Sequence, residues 1–119
     1  MAVKFTYADL TYLESMSPDS NELILEMLQI FIDQLPEFTE GLTEHLKNRD
    51  YMALGALAHK AKSSVAVMGM DSLAADLKTL EISAKAGIDQ ELYPILVNRF
   101  IDQVTLTCTE LQAYAKTIS

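Results

Sequence analysis

The 119 residues, half of them hydrophobic, suit one domain (1–119) with a core large enough to fold without staples. A formal net charge of −8 argues against nucleic acid or an anionic membrane as partner, since both select clustered Lys and Arg. Apolar runs are short, the opening MAVKFTYADL lacks the stretch of a secretory signal, and the lone Cys108 has no internal disulfide partner. A cytoplasmic location is the expectation.

Few glycines and prolines, no tryptophan and abundant Ala, Leu, Glu, Lys and Met favour helix over sheet. A short first helix is predicted over Asp9–Met16, with Leu10 and Leu13 inward. The segment Ser17–Ser20 reads as a helix start, with small polar cap candidates and a proline tolerated in the first turn. From there Ile24, Met27, Leu28, Phe31, Leu35, Phe38, Leu42 and Leu46 recur at helical spacing, predicting a helix over about Asp19–Asn48. Pro36 falls inside it and is expected to kink it, because its ring removes the bond to the Ile32 carbonyl.

A third helix is predicted over about Tyr51–Met68, its stripe being Leu54, Leu57, Ala58, Ala61, Val65 and Met68. Gly69 supplies a stop and Asp71 a cap for the next helix, which carries Leu73, Leu77, Leu80 and Ala84 and ends near Gly87. The last helix is predicted to open near Asp89, take Pro94 early, and bury Leu92, Leu96, Phe100, Val104, Cys108, Leu111 and Ala115. The expected fold is all-α: an antiparallel up-and-down four-helix bundle with a short additional N-terminal helix.

The charge is uneven. Residues 1–50 set three bases against ten acids, whereas residues 51–87 set Lys60, Lys62, Lys78 and Lys85 against Asp71, Asp76 and Glu81. His59 lies in that second stretch, about 140° from Leu54 on the helical wheel and so outward. Gly55, Lys62, Ser63 and Ala66 lie within two turns of it on the same side. Compact neighbours leave an imidazole open to a partner's phosphoryl group. An ordinary imidazole, with a pKa of about 6.5, keeps one ring nitrogen unprotonated near neutrality. That nitrogen can attack phosphorus in line, and the helper it needs most is a positive charge on the oxygens. Lys62, three residues on, offers an ammonium, and Ser63 a hydroxyl. Spacing alone favours the plainer reading, a solvated His with a Lys nearby on an amphipathic helix.

The stretch LAHKAKSSVAVMGMDSLAADLKTL, Leu57–Leu80, resembles the signature of histidine phosphotransfer (HPt) domains. It has a His, a Lys three residues later, small residues, a Gly ten after the His, and an amphipathic helix. IFIDQLPEF, Ile30–Phe38, is similar to the family's second helix, and the resemblance spans about Leu10 to Thr117. It implies that His59 accepts the phosphoryl group, Lys62 stabilises its oxygens and Gln34 hydrogen-bonds the ring. Ser63 departs from the glycine common there, which bears on partner choice or rate. The implied receiver-docking surface is Leu13, Ile30, Gln34, Gly55, Lys62, Ser63 and Ala66, with Met52 and Met70 extending an apolar rim.

The resemblance implies a phosphorelay intermediate passing phosphoryl groups between receiver domains of hybrid histidine kinases and response regulators, with Mg²⁺ on the receiver and no cofactor of its own. No nucleotide-binding loop or metal-ligand motif is present, so it is expected not to be an enzyme in its own right and not to phosphorylate itself. His45 suits a helix C-terminus and Cys108 a packed stripe. A monomer is the default, and the initial Met suggests a free-standing protein. Two rival readings are a helical adaptor without phosphotransfer and the phospho-accepting module of a chemotaxis-type histidine kinase.

Overall fold

The computed structural model describes residues 5–16 and 19–119, so Ser17 and Pro18 of the expected helix start lie outside the described residues. Five α-helices follow in order: α1 (Thr11–Met16), α2 (Asn21–Lys47), α3 (Tyr51–Val67), α4 (Asp71–Ala86) and α5 (Tyr93–Ile118). Short turns join the four long helices into an elongated antiparallel bundle, 45 × 21 × 20 Å, with no strand among the described residues. Each long helix packs on two neighbours: α3 lies between α2 and α4, and α5 closes the ring against both. The core runs down the middle through Phe31, Phe38, Leu42, Leu54, Val65, Leu77, Leu80, Phe100 and Leu111.

Local chemistry sets the helix ends. Ser20 caps α2 by accepting from the Leu23 amide at 3.2 Å, and Asp50 caps α3 by accepting from the Ala53 amide at the same distance. Gly87 ends α4 in the left-handed region at φ 68°. Gly69 also has positive φ, and a Cβ there would run into the Asp9 backbone; the Asp9 amide donates to the Met68 carbonyl at 3.0 Å and ties the N-terminal segment to the α3–α4 turn. The Tyr93 hydroxyl, buried, faces the carbonyls of Ser83 and Ile88 and fastens the α4–α5 turn.

Three expectations shift. Asp9 stands outside α1, where its carboxylate accepts from the Thr11 amide at 2.9 Å. Asp71 is the first residue of α4 and not its cap; Met70 precedes it and makes no side-chain bond. The last helix starts at Tyr93, after Asp89 in the left-handed region and a 3₁₀ turn over Gln90–Leu92, which puts Pro94 in the first turn where its missing N–H costs nothing. As expected, α2 runs through the exposed Pro36 as one helix from Asn21 to Lys47.

Candidate functional site

His59 stands near the middle of α3, a helix buried on the arc of Leu54, Ala58, Ala61 and Val65. Its side chain is 60% exposed, as expected for an outward position. The ring leans toward α4, where Nδ1 lies 3.1 Å from Glu81 Oε1 and 3.0 Å from Oε2. Glu81 is only 15% exposed and gathers two more cations: Lys85 Nζ at 3.1 Å from Oε2 and Lys62 Nζ at 3.6 Å from Oε1. Burial pushes the Glu81 carboxyl pKa up, but hydrogen bonds and charge from Lys85 and His59 outweigh it and hold the carboxyl below its ordinary value.

An ionised carboxylate only accepts hydrogen bonds, so Nδ1 must carry the proton. In the neutral ring, Nε2 then keeps its lone pair, and the ring's exposure leaves it open to a reacting partner. This is the logic by which a carboxylate fixes tautomer and orientation of a catalytic histidine.

The Hpt domain profile matches residues 26–114, a stretch containing α3, α4 and the whole His59 cluster. The chain belongs to the Hpt domain family. Its fold is similar to that of histidine-containing phosphotransfer protein B from Pseudomonas aeruginosa PAO1, with a TM-score of 0.85 and 23% identity over 96% of this chain and 98% of that one. A search of curated proteins found no match. At family level the role is histidine phosphotransfer in phosphorelays, as a phosphoryl carrier that works with receiver domains.

Within this Hpt domain the expected site residues divide. Lys62 is near the ring, half-buried and turned to Glu81. Ser63 and Ala66 are exposed along the outer face of α3, and Ala66 borders a cleft whose other wall is Thr11 and Tyr12. Ile30 is exposed on α2 beside a shallow apolar groove of about 150 Å³, shared with Met27, Gln34, Ser64 and Val67.

Four placements correct the sequence reading. Gln34 is not the ring's partner: its Oε1 accepts from Ser64 Oγ at 3.0 Å, on the flank of α3 facing α2. Gly55 is buried against α4, where a Cβ would meet Lys85 Cγ at 2.9 Å and the Glu81 carbonyl at 3.1 Å, so it serves close helix approach and not docking. Leu13 is fully buried in the core. Met70 is also buried, because α3 ends at Val67 and its wheel does not extend that far, whereas Met52 is 64% exposed.

The residue that the sequence reading missed is Glu81. A weak signal was present: on the α4 wheel Glu81 sits about 40° beyond Leu77, bordering the buried stripe. A carboxylate partly covered at the edge of such a stripe is stabilised by a partner. Away from the cluster, His45 is half-buried near the end of α2, and Cys108 is partly buried with its thiol pKa pushed up by burial.

Proposed function

We propose that this Hpt domain accepts a phosphoryl group on Nε2 of His59 from a receiver-domain aspartate and passes it to another receiver. The supporting observation is the exposed imidazole whose Nδ1 is engaged by Glu81. In the forward step the Nε2 lone pair attacks phosphorus in line. The N–P bond forms, the P–O bond of the acyl phosphate breaks, and the aspartate carboxylate leaves. The positive charge gained by the ring rests on Nδ1–H, against Glu81. Lys62 supplies a cation for the phosphoryl oxygens, as electrostatic stabilisation of phosphoryl transfer requires. The reverse sequence delivers the group onward, with the metal and the aspartate belonging to the receiver.

The docking face is the outer surface of α3 around His59, Ser63 and Ala66, with Ile30 on α2 and the wall of α1 at one end. Compact side chains at 63 and 66 let a receiver's backbone come close to the ring. The test uses a panel of receivers carrying labelled phosphoryl groups. Label is expected on the wild-type chain and on His45→Gln, acid-labile and base-stable, and absent from His59→Gln. An adaptor would bind its partner through the same face and take no label.

A further inference from the structure

Lys85 leaves α4 one turn after Glu81, and its stem crosses α3 at Gly55. A Cβ at position 55 would lie 2.9 Å from Lys85 Cγ, so the absence of a side chain there provides the channel in which the stem lies. The ammonium ends 3.1 Å from Glu81 Oε2, within hydrogen-bond reach. Lys62 faces the other carboxylate oxygen from 3.6 Å, beyond that reach. One carboxylate therefore has a close cation and a looser one, and the looser one shares α3 with the ring.

A phosphoryl group on Nε2 brings negative charge beside Glu81. If Lys62 were the carboxylate's only counter-ion, its move to the phosphoryl oxygens would leave two anions facing each other across the ring. A second cation, fixed on Oε2, removes that conflict. We propose that Lys85, seated over Gly55, is a positioning residue that clamps Glu81 on His59 Nδ1–H while Lys62 turns from Glu81 to the phosphoryl oxygens. The proposal rests on reading His59 as the acceptor.

The test combines ¹⁵N spectra of the His59 ring in the full chain with the rate of its phosphorylation by phosphoramidate, a small donor that needs no receiver. Lys85 is 42% exposed, so Lys85→Gln removes little packing. In that variant the ring is expected to lose its uniform Nδ1–H state and become a mixture of tautomers. Its phosphorylation rate is expected to fall on the order of tenfold, by analogy with the loss of hydrogen-bonding partners behind metal-bound histidines. Lys85→Arg should recover both readouts, and Gly55→Ala, which displaces the stem, should reproduce the mixed tautomers with Lys85 still present. An unchanged ring spectrum in Lys85→Gln overturns the clamp. So does a slower rate with an unchanged ring, because Lys85 would then act on the phosphoryl group itself. If the wild-type chain takes no phosphoryl group on His59, the relay reading fails, and the ring spectrum still decides the role of Lys85.

Discussion

The two flanks of α3 are built differently. Toward α4 the helices approach closely at Gly55, and a half-buried carboxylate ties His59, Lys62 and Lys85 into one charged cluster. Toward α2 the contacts are a neutral bond between Ser64 and Gln34, an exposed Lys60–Glu37 pair at 3.0 Å and an apolar groove. The chemistry of the imidazole is therefore set from one side, while the other side offers a surface. For the proposed nucleophile that separation is useful, because the groups that engage the ring leave the outer face of α3 open.

The sharpest way to break this asymmetry is to substitute the carboxylate. Glu81→Gln is expected to lower the rate of His59 phosphorylation on the order of tenfold or more, whereas Gln34→Ala on the opposite flank should leave it within about twofold. Comparable losses would place ring control on both flanks. Next comes packing. Gly55→Val forces a branched side chain between α3 and α4 and is expected to cost about 1–3 kcal/mol in a urea unfolding curve. Ala56→Val, at an exposed position one residue on, should cost less than about 1 kcal/mol.

Acidification separates the flanks more gently. Glu81 titrates below its ordinary range in the folded chain, so its contribution is complete above the unfolded carboxyl value and is lost as pH falls through the folded one. The wild-type urea midpoint should drop more steeply below that unfolded value than the midpoint of Glu81→Gln. The smallest effect is expected at the exposed pair: Lys60→Gln should change stability by about 0–1 kcal/mol, and less in high salt.

Much of this arrangement was legible in the amino-acid order, and what was not has physical reasons. Helical periodicity gave the four long helices and the outward position of His59, because one wheel suffices to place a residue relative to its own stripe. Ser20 and Gly87 could be read as helix-end residues for the same local reason. The partner of the ring depends on how two wheels are turned against each other, which no single helix encodes. Gln34 was therefore expected beside His59 and is found with Ser64, and Glu81, at the edge of an apolar arc, entered only as one of the acids of its stretch. Gly55 looked like clearance for a docking partner; about 100° from Leu54, it is near enough to the stripe edge to be covered by α4. Leu13 was expected both inward and at the docking surface, and burial decides for the first.

The central claim is that Glu81 holds the proton on Nδ1 and leaves Nε2 of His59 to take the phosphoryl group. Long-range ¹H–¹⁵N spectra of the phosphorylated chain test it directly, because they identify which ring nitrogen bears phosphorus. The account predicts phosphorus on Nε2 of His59, with Nδ1 protonated. Phosphorus on Nδ1, or on any other residue, would contradict it.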